Sequence, residues 1–444
     1  MCTRRNSGAA CWLPLFCCAW YLILLIGCDT LSLTSLDQAA RRPDPSSRDL
    51  PPVQILVREE AWYNDAFEDA QPATLPVDGS FEISGAIDGP GDVDIYALGP
   101  AIAGDQILID VIGHNGLNTV AGLFDAAADI IDANNDRSYY AGNLNPYISQ
   151  VIRRDTDNLF VAIAVSSATH FASSAGTYDS GTYTIKLTRR PGMPVRAATR
   201  QLVYLNFAGG DRVQIALEPF EDMRPFSAEA ISSRFAGQTS AMADQIVARL
   251  RHDLAPFNVV LIDGRNEARP FGSYSKLYFG NYNPAFLGLA DSVDTGNQFP
   301  DQEAIIYTED FRMFESLQAG PDATALAIAN VAAHELGHLL GLEHSRDPLD
   351  VMATAATARQ LYEIDADYRR SQLERTIFPV GWQAGYALLM LNVGPNPAGA
   401  ASRTRIEDTL PAVIAPIDPA LGDIDIASMC GRCAQDHGHD GDAQ

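Results

Sequence analysis

Short stretches in which apolar and polar residues alternate follow one another through the first half of the chain. This period of two is typical of strands that bury one face, and it is clear in four segments: residues 81–85, 93–98, 106–112 and 182–187. Segments rich in Gly, Asn and Asp separate these stretches. Short strands with turn residues between them predict a β-sandwich over residues 57–192.

The pattern changes after the Pro-Gly-Met-Pro segment at residues 191–194. Apolar runs that predict strands then alternate with stretches of helical periodicity. These runs lie at residues 201–207, 257–262, 276–279 and 304–307. One helix is predicted over residues 228–254, and a second from about Asp322, as its N-cap, to Leu340. The alternation predicts an α/β domain over residues 200–392, so the chain is expected to be multidomain.

The N-terminus has the pattern of an export signal. Arg4 and Arg5 precede an apolar run from Trp12 to Ile26. As a helix this run would reach about 22 Å, which is shorter than the ~30 Å hydrocarbon core of a membrane. Residues 1–27 are therefore predicted to be a signal peptide.

The apolar run ends at Gly27-Cys28, which resembles the lipobox of bacterial lipoproteins. The resemblance implies lipidation of Cys28 and export to the cell envelope or cell surface, with the lipid anchored in a membrane. A plain cleaved signal with a secreted product is the alternative. Residues 28–56 contain Asp-Pro-Ser-Ser and Pro-Pro and are predicted to be a flexible linker.

Composition narrows the classes of function. The chain has 444 residues, of which 47% are hydrophobic and 20% charged. This is the balance of a soluble globular protein, and it excludes a mostly disordered chain or a multi-span membrane protein. The formal net charge of −25 repels phosphate backbones, so nucleic acid is not an expected partner. Cysteines occur only near the two ends, so no disulfide framework is expected in the domains between them.

The candidate chemistry lies in the second predicted helix. His334 and His338 are four residues apart, which places both imidazoles on one helix face. Gly341 is predicted to end the helix with a sharp turn, and His344 then supplies a third nitrogen. Three protein nitrogens and a water molecule form the open arrangement of catalytic zinc, and Glu335 is placed to accept a proton from that water. The alternative is a buried helix with hydrogen-bonded histidines, but three of the chain's eight histidines lie in this short segment.

The pattern His-Glu-x-x-His-x-x-Gly-x-x-His is followed by Met352, eight residues after His344. In this respect residues 200–392 resemble the metzincin zinc endopeptidases, in which such a methionine underlies the metal site. Ser345 and the spacing to Met352 are most similar to the matrixins. The resemblance implies a mixed five-stranded sheet above the active-site helix, with substrate along an edge strand near residues 288–290. It also implies hydrolysis of a protein or peptide substrate by a zinc-activated water, with the glutamate of the motif as general base.

The chain departs from these families after Met352. Thr354 stands where astacin-like enzymes have a tyrosine, and the Pro-Tyr region of the matrixins is missing. Tyr362 is therefore the candidate for a tyrosine that stabilises the transition state. The inhibitory cysteine of matrixin propeptides is also missing, since no cysteine lies between Cys28 and Cys430.

The predicted β-sandwich resembles the bacterial pre-peptidase C-terminal (PPC) domain. The resemblance rests on Asn64-Asp65, residues 91–96 and Gly181-Thr182-Tyr183. Members of that family are secreted accessory modules beside peptidases. The resemblance therefore implies that the sandwich contacts matrix, glycan or a partner protein.

Aspartates of the sandwich are candidate ligands of a calcium ion, because calcium prefers oxygen ligands. They are Asp92, Asp94 and Asp136, with Asn134 and Asn135 beside the last of them. The alternative is that these residues occupy turns and accept hydrogen bonds from the nearby backbone.

The last segment, residues 393–444, is rich in Pro, Ala and Asp and is predicted to be a weakly ordered acidic tail. Cys430 and Cys433 are followed in it by His437 and His439. Two cysteines and two histidines can close a structural zinc site. Outside the cytoplasm the cysteine pair can instead form a disulfide. A disordered tail and an inhibitory thiolate that reaches the active site are the remaining interpretations.

Together these features predict an exported, lipid-anchored zinc endopeptidase with an accessory β-sandwich. A different class of function is an inactive or latent metzincin that serves as a surface-anchored binding protein through its sandwich. Replacement of Glu335 would be expected in an inactive copy, and Glu335 is intact.

Overall fold

The computed structural model describes residues 54–58, 63–138, 141–166, 180–216, 218–354, 357–398, 416–421, 423, 424 and 426. For residues 54–58 the description is limited to the backbone. All of these residues belong to one compact unit, Pro52–Gln444. Within them, no helix combines the length and the apolar character needed to cross a bilayer.

Strands dominate the first half of the described chain and alternate with helices in the second. The strands are β1 (Gln54–Arg58), β2 (Gln71–Pro72), β3 (Gly79–Ile87), β4 (Val93–Ala101), β5 (Gln106–Gly113), β6 (Thr119–Asp125), β7 (Ile130–Asn134), β8 (Tyr147–Val151), β9 (Thr156–Val165), β10 (Gly181–Arg190), β11 (Gln201–Asn206), β12 (Gly210–Val213), β13 (Glu221–Met223), β14 (Val259–Asp263), β15 (Ser275–Gly280), β16 (Gly288–Ala290), β17 (Glu303–Tyr307), β18 (Arg370–Gln372) and β19 (Trp382–Ala384). The α-helices are α1 (Ala228–Ile231), α2 (Thr239–Asp253), α3 (Pro321–Leu339), α4 (Ala358–Glu363) and α5 (Gly385–Asn392). Short 3-10 helices lie at Phe67–Asp69, Ser233–Phe235, Thr308–Leu317 and Pro419–Leu421.

The first ten strands form two five-stranded sheets, in the orders β1-β3-β10-β5-β8 and β2-β4-β9-β6-β7. Most neighbours are antiparallel; β1 and β2 each pair in parallel. A buried apolar cluster from both sheets, which includes Phe81, Ile109, Leu123 and Ile185, forms their common core. The predicted β-sandwich is confirmed. Residues 54–56, however, belong to β1 rather than to the predicted linker, because Gln54 and Ile55 pair with Phe81 and Glu82 of β3.

The second half is built on a mixed sheet in the order β14-β11-β15-β17-β16. Strands β14, β11, β15 and β17 are parallel to their neighbours in this group, and β16 runs antiparallel to β17. The strand near residues 288–290 therefore lies at the edge of the sheet, as the metzincin resemblance implied. The predicted mixed five-stranded sheet is confirmed.

The first predicted helix, over residues 228–254, is wrong as a continuous element. It is divided into α1, the 3-10 turn Ser233–Phe235 and α2. Ser232 is extended, with φ −153° and ψ 137°, and its hydroxyl accepts a hydrogen bond from the Arg234 N–H. Gly237 has a φ of +76°. These two local conformations interrupt the helix although the apolar periodicity continues through them.

The second predicted helix, α3, starts two residues earlier than predicted. Gly320 is the N-cap and Pro321 the first helical residue. Proline is favoured at this position because the N–H of the first helical residue has no acceptor within the helix, and proline has no N–H. Asp322 is therefore not the N-cap; its carboxylate accepts a hydrogen bond from Gln245 Nε2 at 2.5 Å. Every residue from Ala323 to Leu339 is buried, which is expected for a helix that is apolar on all sides.

The end of α3 agrees with the prediction. Gly341 has a φ of +92°, a conformation that residues with a Cβ rarely adopt. Its N–H donates to His338 O at 2.9 Å, and the Leu342 N–H donates to Gly337 O at 2.9 Å. This pair of bonds is a Schellman motif, which reverses the chain directly after the helix.

Part of the C-terminal segment packs against α4, which corrects the prediction of a weakly ordered tail for these residues. The Ala358 N–H donates to Ile424 O at 2.8 Å, and the Ile417 N–H donates to Glu363 Oε1 at 2.7 Å. Ile417 is 5% exposed and belongs to the core of the α/β region.

Substitution Gly341→Ala should lower the free energy of unfolding by about 1–3 kcal/mol, since it adds strain at a positive φ. The new Cβ would also lie 2.6 Å from Asp294 O. Chemical denaturation measures the change. Gly320→Ala, at the other end of α3, is the control because a Cβ there meets nothing within 4 Å. Equal stability of the two variants would contradict the assignment of strain to Gly341.

Candidate metal centre

Three buried histidines meet at the C-terminal end of α3. His334 and His338 lie one turn apart on the helix, and the turn at Gly341 returns the chain so that His344 joins them. The Nε2 atom of His338 lies 3.2 Å from that of His334 and 3.0 Å from that of His344. The His334 and His344 Nε2 atoms are 3.1 Å apart. Within the described residues, these three form the one group of His, Cys, Asp or Glu whose ligand atoms converge.

Backbone carbonyls orient two of the rings. His334 Nδ1 donates to Val351 O at 2.8 Å, and His338 Nδ1 donates to Leu342 O at 2.7 Å. A carbonyl oxygen only accepts, so the proton of each neutral ring is on Nδ1 and the lone pair is on Nε2. Burial lowers the pKa of His334 to about 4, although its hydrogen bond to Val351 opposes the shift. The His334 ring is therefore prepared as a neutral ligand.

The donor set fits a zinc ion. Nitrogens bound to tetrahedral zinc at ~2.0–2.1 Å would be about 3.3 Å from each other, close to the observed separations. Lone pairs that face one another across 3.0–3.2 Å repel, and a cation between them removes the repulsion. Hydrogen bonds from Nδ1 to backbone oxygen are also the usual support of zinc-bound histidine.

Met352 packs against α3 at Gly337, the residue before His338. Its side chain is fully buried, and a Cβ added at Gly337 would overlap its Sδ. The Ser345 N–H donates to Met352 O at 2.9 Å, which joins the methionine turn to the residue after His344. Met352 therefore lies against α3 and is bonded to the segment that follows His344; its role as support of a metal stays a prediction.

The Glu335 side chain extends from α3 to the edge strand of the sheet. Its side chain is 0% exposed, and a Cβ added at Gly288 of β16 would overlap its Oε1. The metzincin resemblance implied that residues 288–290 form the edge strand, but it did not indicate this contact with Glu335. The sequence signal for this contact was Gly288 itself, a residue without a side chain on a strand expected to face the helix.

Tyr362 does not join this group, which corrects its assignment to the transition state. It is buried between Phe311 and Phe314, with ring centroids 6.2 and 5.9 Å away. Burial raises the pKa of its hydroxyl, and a hydrogen bond with Thr324 opposes the shift. Thr324 precedes His334 by ten residues on α3, which is about 15 Å of helix. Tyr362 is therefore part of the apolar core.

The three aspartates proposed for calcium do not converge, so the described residues give no support to that site. Asp94 is buried and accepts a hydrogen bond from the Tyr183 hydroxyl at 2.5 Å, a phenol whose pKa is raised by burial. Asp92 accepts from the Asp88 N–H at 2.5 Å, as the turn interpretation expects. Asp136 follows β7, and β9 and β6 separate that strand from β4.

The remaining candidates lie outside the described residues. They are the lipidation candidate Cys28 and the tail residues Cys430, Cys433, His437 and His439. Their assignments stay predictions.

Comparison with known proteins agrees with the geometry. Residues 228–371 match the family model described as Matrixin. This part of the chain is matrixin-like. The match includes the histidine triad, Glu335 and Met352, and it supports a metallopeptidase in general, because the matrixins are zinc-dependent peptidases. No curated protein matches the chain.

Solved structures show local similarity. The pre-peptidase C-terminal domain of a collagenase from Bacillus anthracis is 15% identical, with a TM-score of 0.19, and the match covers 27% of this chain and 94% of that one. PliG of Aeromonas hydrophila, a periplasmic inhibitor of g-type lysozyme, is 15% identical with a TM-score of 0.20, and the match covers 27% of this chain and 99% of that one. Archaemetzincin of Methanopyrus kandleri is 14% identical with a TM-score of 0.23, and the match covers 39% of this chain and 91% of that one.

Removal of one histidine should remove the metal. The full chain is expected to hold about one zinc ion, and His338→Ala should lose it because two protein ligands bind zinc weakly. Elemental analysis after dialysis measures the content. His114→Ala is the control, since His114 lies in the sandwich and bonds to Thr184 Oγ1. Equal zinc in both variants would contradict the site.

Proposed function

We propose that the chain is an exported zinc-dependent endopeptidase that hydrolyses peptide bonds with Glu335 as its general base. One observation carries the proposal: three histidine Nε2 atoms converge within 3.2 Å, next to Glu335, in the matrixin-like segment. The match to the matrixins supports the reaction class. The position of Glu335 supports its role.

Each part of the site has a distinct task. Zinc, when held by the three histidines, would supply Lewis-acid chemistry that polarises the scissile carbonyl and makes water a stronger acid. Glu335 would accept a proton from the attacking water and pass it to the leaving amine. The buried surroundings of Glu335 would keep other water away from this transfer.

The edge strand would bind the substrate. Strand β16 pairs with β17 on one side and is the last strand of the sheet. An extended peptide can add to such an edge through backbone hydrogen bonds, which depend little on its sequence. A peptide bound at Gly288 would lie close to Glu335, because the Glu335 side chain is packed against Gly288.

Export and anchoring rest on the N-terminal pattern. The apolar run that ends at Gly27-Cys28 supports a lipidated protein of the cell envelope or cell surface. The sandwich would then lie between the anchor and the peptidase region in the order of the chain. Contact of the sandwich with matrix or glycan stays a prediction.

The burial of the site favours a second candidate, a latent peptidase. The side chains of His334, Glu335 and His338 are 0% exposed, and His344 is 2% exposed. A peptide can reach them only after the surrounding chain opens. Stoichiometric zinc without cleavage by the unmodified chain would favour this second candidate.

Substitution Glu335→Ala should leave about one zinc per chain and lower kcat/KM by about 10²- to 10⁴-fold, since a general base is lost. Cleavage of a denatured protein mixture, with and without a chelator, measures activity. Glu229→Ala is the control because Glu229 is exposed on α1. Undiminished, chelator-sensitive cleavage by Glu335→Ala would exclude Glu335 as the base.

Substitution Gly288→Ala should also impair hydrolysis, by about 10²-fold, because its Cβ would displace the Glu335 carboxylate. Zinc content should stay unchanged, since the three atoms nearest to the added Cβ all belong to Glu335 and none to a histidine. Gly91→Ala, where a Cβ meets nothing within 4 Å, is the control. A fully active Gly288→Ala variant would show that Glu335 does not need its observed position.

A further inference from the structure

The loop that carries His344 is held at both ends by side chains from a later part of the chain. At its start, Asn392 Nδ2 donates to Leu340 O at 2.8 Å. At its end, the Glu343 N–H donates to Gln383 Oε1 at 2.6 Å, and Gln383 Nε2 donates to Glu343 O at 2.7 Å. Gln383 is 0% exposed. Both backbone groups of the residue before the ligand are therefore bound by one side-chain amide.

The hairpin that carries Gln383 also supports the backbone of the ligand. Gln383 lies on β19, which pairs with β18. The Glu374 N–H, just beyond β18, donates to His344 O at 2.9 Å. The Arg346 N–H donates to Gln372 O at 3.0 Å. The segment from Glu343 to Arg346 is thus fixed to this hairpin by backbone and side-chain bonds.

The hairpin takes its own position from the β-sandwich. The Trp382 N–H donates to Ala128 O at 3.0 Å, in the turn between β6 and β7. Arg370 Nε donates to Asp129 Oδ1 at 2.7 Å, and its Nη2 donates to Ala127 O at 2.7 Å. These contacts extend the edge of the sandwich onto the hairpin.

An apolar core joins the same two elements. Phe378, in the connection between β18 and β19, packs edge-to-face on Phe124 of β6 with ring centroids 5.3 Å apart. The cluster contains residues of both regions: Val93, Ile95, Val120, Phe124, Ile130, Ala133, Phe160, Ala162 and Ala164 from the sandwich, and Leu373, Ile377 and Phe378 from the connection. Such burial stabilises the docked hairpin far more than its exposed ion pair does.

A second path leads from the sandwich to the start of the loop. Arg153, which follows β8, donates from Nη1 to Asn392 Oδ1 at 2.6 Å and from Nη2 to Leu391 O. Asn392 is the residue that donates to Leu340 O. The sandwich therefore contacts both supports of the loop.

We propose that Gln383 is a positioning residue for His344, and that the β-sandwich is a structural part of the metal site rather than a separable accessory module. The inference rests on the proposed zinc site. Loss of the Gln383 amide would leave two buried backbone groups without a partner, and the loop would relax away from the geometry that zinc needs. Outer partners of metal ligands commonly contribute 10- to 100-fold in metal affinity.

Substitution Gln383→Met tests the positioning role, since methionine keeps the length of the side chain and removes both hydrogen bonds. Zinc affinity of the full chain, measured by competition with a chelator, should fall about 10- to 100-fold. The visible spectrum of the cobalt-substituted variant should change, because it reports ligand geometry. Gln372→Met is the matched control, since Gln372 lies on the paired strand with its side chain exposed.

Substitution Arg153→Met tests the part played by the sandwich. Zinc affinity should fall about tenfold, the equivalent of one hydrogen bond to a charged group. Arg154→Met, at the exposed neighbouring position, should leave the zinc affinity unchanged.

Unchanged zinc affinity in Arg153→Met would refute the link to the sandwich. An unchanged zinc affinity and cobalt spectrum in Gln383→Met would refute the role of Gln383. Failure of the unmodified chain to bind zinc would instead refute the proposed function, and with it the inference.

Discussion

Three imidazole nitrogens with lone pairs cannot stay about 3 Å apart unless the rest of the protein holds them there. This constraint organises the second half of the chain. The helix α3 supplies two of the rings at fixed spacing, and backbone carbonyls of Val351 and Leu342 bind their Nδ1 atoms. Those carbonyls belong to the loop after the helix and to the methionine turn, so the same segments that deliver His344 also orient His334 and His338.

The fold meets this constraint with rigid elements. The helix is buried along almost its whole length, and its end is defined by the positive φ of Gly341. Met352 supports it from below at Gly337, and β16 contacts Glu335 from the side of the sheet. The hairpin with Gln383 completes the support on the side of the sandwich. A site built in this way loses little entropy when a metal binds, because its ligands are already ordered.

Much of the site could be predicted from the sequence because its signals are local. The spacing of the histidines and the stop at Gly341 follow from residues close together in the chain, whereas the edge strand was implied by the metzincin resemblance. Two errors have local causes as well: Pro321 moved the helix start away from Asp322, and Ser232 interrupted a stretch whose apolar periodicity continued. Periodicity reports which face is buried, and it does not report such single-residue interruptions.

The contacts that could not be predicted are those between distant parts of the chain. Tyr362 has the right residue type for a role in catalysis, but its surroundings are Phe311 and Phe314. The aspartates of the sandwich have the right ligand type for calcium, but the strand order separates them. Gln383 belongs to no sequence motif, and the positioning role proposed for it follows only from its hydrogen bonds to Glu343 in the folded chain. Residue type indicates the possible chemistry, and the tertiary structure decides which residues take part.

X-ray absorption at the zinc edge, on the full chain loaded with one equivalent of zinc, tests the central claim most directly. The account predicts a first shell of nitrogen and oxygen atoms alone, with three imidazole nitrogens at ~2.0–2.1 Å. Sulfur atoms at ~2.3 Å would place the ion on cysteines near the ends of the chain, such as Cys430 and Cys433, and would contradict the assignment of zinc to the triad.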